Sequence, residues 1–125
     1  MSENLKVAII GAGMSGILAA IKLKEVGIKD ITIFEKGDGV GGTWRDNSYP
    51  GLHCDVPSNH YTYSFERNPN WSNYYSSGPE IREYFQGIFF KYELDKICMF
   101  ETEIISLSFK DYIWKITTNT AETYE

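Results

Sequence analysis

The order of apolar and polar positions predicts a strand, a helix and a second strand at the start of the chain. Residues 5–10 form a short apolar run that ends at a glycine, which is typical of a buried parallel strand. Residues 14–26 follow with apolar positions at helical spacing, and Gly27 is placed to cap the helix. Residues 31–34 are a second buried strand. This order predicts a βαβ unit within about 30 residues.

The pattern changes after the second strand. From Glu35 to about Gly78, glycine, proline, asparagine and aromatic residues dominate, and no period holds. Ordinary connections are about 4–6 residues long, so a segment of this length is either disordered or functional. Its tryptophans and tyrosines argue against disorder. We therefore expect the segment to fold around a large, flat ligand.

The remainder of the chain predicts one more helix and several short strands. Residues 79–92 carry one apolar face behind a proline, as expected of a helix. Residues 97–100 read as a third strand of the first sheet. Residues 105–109 and 112–117 alternate between apolar and polar, with a tight turn expected at Lys110-Asp111. Residues 122–125 then begin a third strand of an antiparallel meander.

Composition narrows the class of protein. The chain has 125 residues, of which 42% are hydrophobic and 23% charged, as expected for one small globular domain. Its formal net charge of −5 argues against a nucleic-acid partner. Cys54 and Cys98 form no CxxC pair and no metal-ligand spacing, which favours a reducing, cytoplasmic location. No apolar stretch is long enough to span a membrane.

A glycine motif carries the first chemical prediction. Gly11, Gly13 and Gly16 form GxGxxG directly after a strand and at the start of a helix, where a dinucleotide pyrophosphate binds. Glu35 closes the second strand, at the distance expected for a carboxylate that accepts hydrogen bonds from the adenosine ribose. Its charge would repel a 2′-phosphate, so FAD or NAD is favoured over NADP. The competing interpretation is a glycine-bearing helix cap followed by a surface glutamate.

The residues after Glu35 favour FAD over NAD. Residues 41–44 (GGTW) offer backbone that can approach a ligand closely, followed by a hydroxyl group and a large ring. An NAD-dependent dehydrogenase usually continues into a compact βα unit, whereas this chain continues into the long aromatic segment. A dehydrogenase domain remains the less favoured alternative.

Three segments together resemble a known family. GAGMSG (residues 11–16), GGTWRDNSYPGLHCDVPSNHYTYSF (41–65) and NPNWS (68–72) are similar to the N-terminal region of class B flavoprotein monooxygenases. That family includes the Baeyer–Villiger and the flavin-containing monooxygenases, and the YPG…CD run is closer to the Baeyer–Villiger side. The resemblance covers essentially the whole chain but only about the first quarter of a usual member. It implies a Rossmann-like FAD-binding βαβ unit with a long aromatic loop, a helix and an antiparallel β-meander, in an α/β domain that is incomplete.

The resemblance also implies roles for individual residues. Asp55 corresponds to the catalytic aspartate beside the flavin ring, although an Asx-turn role is the alternative. His53 and Cys54 adjoin the place where the nicotinamide cofactor approaches. His53 replaces a frequent arginine, and Cys54 is more typical of a small buried apolar residue than of a reactive thiol. Tyr61 corresponds to the tyrosine that closes over the cofactor, and plain packing is the alternative. The other implied FAD contacts are Gly11, Gly13 and Gly16 at the pyrophosphate, Glu35 at the ribose, Gly42, Thr43 and Trp44 along the cofactor, and Ile104 at the adenine.

By the same resemblance, NADPH would reduce FAD in the full protein. A C4a-peroxyflavin formed with O₂ would then insert oxygen into a ketone or oxidise a nitrogen or sulfur atom of a small organic substrate. A second GxGxxG motif for NADPH is missing from the sequence. We therefore expect residues 1–125 to be the N-terminal part of the FAD-binding domain, with the NADPH-binding domain absent and no turnover by the chain alone. A non-catalytic dinucleotide-binding module, or a truncated gene product, is the alternative.

Overall fold

Two parallel strands flank the first helix in the computed structural model, which describes residues 5–125. β1 (Lys6–Ile10) and β2 (Asp30–Phe34) pair in parallel, with Ile9 opposite Ile33. α1 (Met14–Glu25) connects them. The βαβ unit predicted from the apolar runs is therefore confirmed.

The predicted glycine, Gly27, caps the C-terminal end of α1. Gly27 adopts a φ of 88°, in the left-handed region that glycine reaches without a steric penalty. The Gly27 N–H donates to Lys24, and the Ile28 N–H donates to Leu23, each at 3.0 Å. These two bonds form a Schellman motif, which satisfies carbonyl groups that the helix end leaves free.

A third strand completes the parallel sheet. β3 (Cys98–Met99) pairs with β2, so the strand order is β1-β2-β3. β3 is shorter than predicted because residues Leu94–Ile97 form a turn of 3₁₀-helix. β1 lies at the edge of the sheet, and the side chain of Ile10 is 61% exposed.

The longest helix of the described residues packs with α1 in the core on one face of this sheet. α3 (Gly78–Lys91) has 14 residues, with Pro79 in its first turn as predicted. Its apolar face joins the inner faces of α1, β1 and β2 in one core. Among residues 5–125 no helix has the length and apolarity needed to cross a membrane. The core residues from these elements are Ile9, Ile17, Ala20, Ile21, Ile31, Ile33, Ile81, Phe85, Ile88 and Phe89.

The long aromatic segment is irregular in structure, as its lack of periodicity indicated. It contains only α2 (Thr43–Asp46) and a 3₁₀ turn at Ser58–His60. The hydroxyl of Ser58 bonds to the hydroxyl of Ser76 at 2.7 Å and accepts from the Ser76 N–H at 2.8 Å. Both serines are buried, so these contacts hold the middle of the segment against its C-terminal end.

An antiparallel meander follows the parallel sheet. It consists of β4 (Ile104–Lys110), β5 (Ile113–Thr118) and β6 (Thr123–Tyr124). The meander was predicted correctly, but the turn expected at Lys110-Asp111 was placed one residue early. Lys110 still pairs with Ile113, and the loop residues are Asp111 and Tyr112. Their φ values of 52° and 66° are those of a type I′ turn. The alternation of apolar and polar residues could not position this turn, because moving it by one residue leaves the same side chains on each face of the hairpin.

Candidate dinucleotide-binding site

The glycine motif forms a tight turn between β1 and α1. Gly11 has a φ of 95°, and its N–H donates to the carbonyl of Phe34 at 2.8 Å. Gly16 lies directly against this turn: a β-carbon built on Gly16 would be 1.9 Å from the Gly11 carbonyl oxygen and 3.4 Å from the side chain of Ile9. The absence of a side chain at Gly16 therefore lets the helix pack onto the turn and the strand.

The N-terminus of α1 is free of protein caps. Gly13 occupies the N-cap position, and no side chain caps the helix there. Because the first N–H groups of a helix have no intrahelical acceptor, they and the helix dipole can bind an anion such as a pyrophosphate.

A second glycine turn packs against the first. The Gly41 N–H donates to the Ala12 carbonyl at 3.0 Å. A β-carbon built on Gly42 would lie 3.1 Å from the α-carbon of Gly13. The two turns, distant in sequence, thus meet backbone to backbone at the start of α1.

Glu35 is held in place by backbone donors. One carboxylate oxygen, Oε2, accepts from the Ala12 N–H at 2.8 Å, and Oε1 accepts from the Gly37 N–H at 2.7 Å. The residue is only 5% exposed. Arg45 approaches Oε1 to 3.5 Å. Burial lowers the pKa of Arg45, but the hydrogen bond to Asp46 and the neighbouring carboxylates raise the pKa overall, so Arg45 is a permanent cation beside Glu35.

These features line one cleft, which we call the glycine cleft. Its volume is about 340 Å³. Five of the residues predicted to contact FAD line this cleft, together with neighbours for which no role was predicted. One such neighbour is Asp46, which directly follows the GGTWR motif in sequence, so its position next to that motif could have indicated it as a cleft residue. The lining residues are Ile10, Gly11, Gly13, Phe34, Glu35, Lys36, Gly42, Asp46, Thr102, Glu103 and Ile104.

Three of the other assigned residues lie on or near α2, outside the lining of this cleft. Thr43 is exposed at the start of α2. The Trp44 indole N–H donates to the Tyr61 hydroxyl at 3.1 Å, and the two rings meet edge to face at 5.5 Å. Tyr61 also packs against Phe85 of the core. The structure therefore links Trp44 and Tyr61 to each other and anchors the pair on α3.

Asp55 is not brought into the glycine cleft. Its side chain is exposed and lines neither the glycine cleft nor the larger cleft between α2 and α3. The adjacent Cys54 is buried, and its thiol donates to the Val56 carbonyl at 2.9 Å, which agrees with a packing role.

A second cleft, the α3 cleft, lies between α2 and α3. Its volume is about 720 Å³. His53 lines it, and His53 Nδ1 bonds to the Gly51 carbonyl at 2.9 Å. Trp44 and Arg82 contribute further lining, and the buried Nε of Arg82 has no hydrogen-bond partner among the described residues.

The glycine turn, the acidic end of β2 and the helix N-terminus define a dinucleotide-binding fold. Residues 9–77 match the family described as the NAD(P)-binding Rossmann-like domain, and the chain belongs to that family. Within it, the chain resembles Baeyer–Villiger monooxygenases. It is 47% identical over 110 residues to a Baeyer–Villiger monooxygenase of Pseudomonas aeruginosa, covering 88% of this chain and 21% of the relative. An FAD-binding monooxygenase of Aspergillus terreus is 42% identical, over 87% of this chain and 20% of the relative.

Solved structures give the same result. An open crystal structure of cyclohexanone monooxygenase superposes with a TM-score of 0.90 at 36% identity, over 95% of this chain and 24% of that protein. An oxidised steroid monooxygenase bound to NADP superposes with a TM-score of 0.89 at 32% identity, over 94% of this chain and 24% of that protein. The expected resemblance to class B flavoprotein monooxygenases is confirmed, and the chain spans less than a quarter of the length of these relatives.

Proposed function

We propose that this chain is the FAD-binding portion of an NADPH-dependent flavin monooxygenase of the Baeyer–Villiger type. The observation that carries the proposal is the glycine cleft, where Gly11, Gly13, Glu35, Gly42 and Ile104 converge from four separate parts of the sequence. In this proposal residues 1–125 are the N-terminal part of the FAD-binding domain, and the NADPH-binding region lies outside this sequence.

The donor set of the cleft fits the ADP half of FAD. The uncapped start of α1 offers N–H groups to the two phosphates, and the backbone contact of Gly13 with Gly42 leaves no side chain in their way. Glu35 offers carboxylate lone pairs to the ribose hydroxyls. When bound, FAD supplies the redox and oxygen-transfer chemistry, while the residues of this chain bind and orient it.

The charge of the cleft favours FAD over NADP at this position. A buried carboxylate at the ribose would repel a 2′-phosphate, whereas it accepts hydrogen bonds from free 2′- and 3′-hydroxyls. Arg45 does not line the glycine cleft, so its guanidinium is not placed there to receive a phosphate. NADPH binding is accordingly assigned to another part of the full protein.

Asp55, Thr43, Trp44 and Tyr61 are proposed to meet the flavin half of the cofactor. Asp55 is an exposed carboxylate one residue after the buried Cys54, so it is available to a group supplied by the remainder of the protein. Its catalytic role is the polarisation or proton exchange expected of a carboxylate next to the reacting rings. The proposed substrates are ketones or compounds with an oxidisable nitrogen or sulfur atom, together with O₂. The reducing, cytoplasmic location expected from the cysteines stays a prediction.

Binding of FAD to the purified chain tests the proposal directly. We expect FAD fluorescence to change on titration with the chain, and Gly13→Val to abolish the change because its branched side chain would fill the space between Gly13 and Gly42. Gly87→Val is the matched control, since a β-carbon at Gly87 meets no atom within 4 Å. Unchanged FAD binding by Gly13→Val would contradict the assignment of the cleft.

Turnover separates the proposal from a non-catalytic dinucleotide-binding module. The chain alone, with added FAD, is expected to consume no NADPH above the free-flavin background. A protein that carries this chain together with an NADPH-binding region is expected to consume NADPH when ketones or sulfides are added. Tight FAD binding by such a protein without any oxygenation would favour the module instead.

A further inference from the structure

The side chain of Arg45 is largely shielded from solvent and lies behind the carboxylate of Glu35. It is 13% exposed and contacts one backbone carbonyl and three carboxylates, of which the exposed Asp38 is the most distant at 4.0 Å. Nη1 donates to the Gly39 carbonyl at 2.7 Å and lies 3.5 Å from Glu35 Oε1. Nε and Nη2 both donate to Asp46 Oδ1, at 2.9 and 2.6 Å. The planar guanidinium therefore ties the loop after β2 to α2 and to the end of β2.

Gly37 provides the space that this arrangement requires. A β-carbon built on Gly37 would lie 1.6 Å from Nη1 of Arg45 and 2.1 Å from its Cζ. The Gly37 N–H is also one of the two backbone donors to Glu35. Arg45 thus packs directly on the peptide that orients the carboxylate.

We propose that Arg45 is a positioning residue that holds Glu35 in the orientation needed to accept the ribose hydroxyls of the adenosine half of the cofactor. A carboxylate has about four acceptor positions. The backbone N–H groups of Ala12 and Gly37 occupy one acceptor position on each carboxylate oxygen of Glu35, and Arg45 lies beside Oε1. This inference rests on the proposed function, because it assumes that Glu35 meets a ribose.

The charge of Arg45 explains how the carboxylate can stay buried. A buried anion is strongly destabilised unless hydrogen bonds and an opposite charge compensate for lost hydration. Arg45 supplies the opposite charge from the side away from the glycine cleft, so the cleft side stays open for a ligand. Lys36 is exposed and makes no described contact with the carboxylate.

Nucleotides that differ only in the ribose hydroxyls test this role on the full 125-residue chain. The probes are ADP and 2′,3′-dideoxy-ADP, titrated by calorimetry into the wild type and Arg45→Met. We expect ADP to bind about tenfold more weakly to Arg45→Met, the size of one charge-assisted hydrogen bond. Binding of dideoxy-ADP should stay the same, because it has no hydroxyl for Glu35 to accept.

Two glycine variants provide an independent measurement. Gly37→Ala should reproduce the loss selective for ADP, since its β-carbon displaces the guanidinium. Gly87→Ala is the control, because Gly87 makes no contact with Arg45 or Glu35 and a β-carbon there meets no atom within 4 Å. Arg45→Lys should retain only part of the ADP affinity, since an ammonium cannot reach all the partners of the guanidinium.

The outcomes are distinguishable. Equal losses for ADP and dideoxy-ADP in Arg45→Met would overturn the positioning role in favour of a general structural one. Unchanged ADP affinity in both Arg45→Met and Gly37→Ala would also overturn it. A wild-type chain that binds ADP no better than dideoxy-ADP would instead remove the ribose role of Glu35, and the positioning role with it. A wild-type chain that binds neither nucleotide would contradict the proposed function itself.

Discussion

The hydroxyl of Tyr63 donates a hydrogen bond to the backbone carbonyl of Met14, the first residue of α1. Tyr63 belongs to the long aromatic segment, whereas Met14 begins the helix that follows the glycine turn. The contact therefore anchors the irregular segment on the element that builds the glycine cleft. Burial raises the pKa of Tyr63, and the neighbouring Tyr84 raises it further. The hydroxyl of Tyr63 therefore remains a donor well into the alkaline range.

Tyr63→Phe is expected to lower the free energy of unfolding by about 1 kcal/mol, the usual net contribution of one hydrogen bond. Chemical denaturation measures the change. Tyr112→Phe is the control, because Tyr112 is 95% exposed and no hydrogen bond of its hydroxyl is described. Equal stabilities of the two variants would show that the bond to Met14 contributes nothing.

Gly16→Ala is expected to destabilise the chain severely, by about 3 kcal/mol or more, as overpacking against fixed backbone does. Its β-carbon would overlap the Gly11 carbonyl oxygen, which cannot move without breaking the turn. Gly87→Ala, in the interior of α3, should instead raise the unfolding free energy by roughly 0.5–1 kcal/mol through helix propensity. Thermal melts that rank the two variants in the opposite order would contradict the packing of α1 on the turn.

Glu35→Ala is expected to weaken FAD binding by roughly 1–3 kcal/mol, the typical cost of losing a charge-assisted hydrogen bond. It should also reduce stability, because the N–H groups of Ala12 and Gly37 lose their acceptor. FAD titration and denaturation measure the two effects separately. Glu83→Ala, an exposed residue of the α3 cleft, should change neither, and an equal loss in that variant would remove the special role of Glu35.

Tyr112→Gly is expected to stabilise the chain by about 1 kcal/mol, since glycine adopts a positive φ without the cost a tyrosine incurs. Tyr112 has a φ of 66° in the hairpin turn. Ser108→Gly, within β4, should have the opposite effect because glycine weakens a strand. Circular dichroism melts check both, and destabilisation by Tyr112→Gly would show that the turn lies at another position.

Cys98 is expected to make stability fall at high pH. Burial, followed by the charge of Glu35, raises the pKa of Cys98 to about 12 from an ordinary value near 9. The folded state therefore holds the thiol proton more tightly than the unfolded state. This contribution is fully present below pH 9 and is lost as the pH rises towards 12.

Comparison with Cys98→Ala isolates that contribution, because the buried tyrosines titrate alike in both proteins. After correction for the difference at pH 7, the variant should lose less stability between pH 9 and 11 than the wild type. Identical pH profiles would show that the thiol is equally easy to ionise in the folded and unfolded states.

Elements that depend on local pattern were predicted from the sequence with small errors at their ends. The apolar runs gave β1, α1 and β2, and Gly27 gave the end of α1, because these signals depend on neighbouring residues only. The turn at Asp111-Tyr112 was misplaced by one residue. The position of this turn is set by the register of β4 against β5, in which Phe109 pairs with Trp114. The alternation within one strand does not determine that register.

The sequence by itself determined the motif, the βαβ unit and the resemblance to flavoprotein monooxygenases, because spacing and residue type are sufficient for these. Only the tertiary structure decided that Gly42 meets Gly13, that Arg45 and Gly37 together hold Glu35, and that Asp55 lies outside the glycine cleft. The reason is physical: each of these relationships depends on how the irregular segment after β2 folds back on the glycine turn. That path is set by long-range backbone hydrogen bonds, such as the one from Gly41 to Ala12, and no local period encodes it.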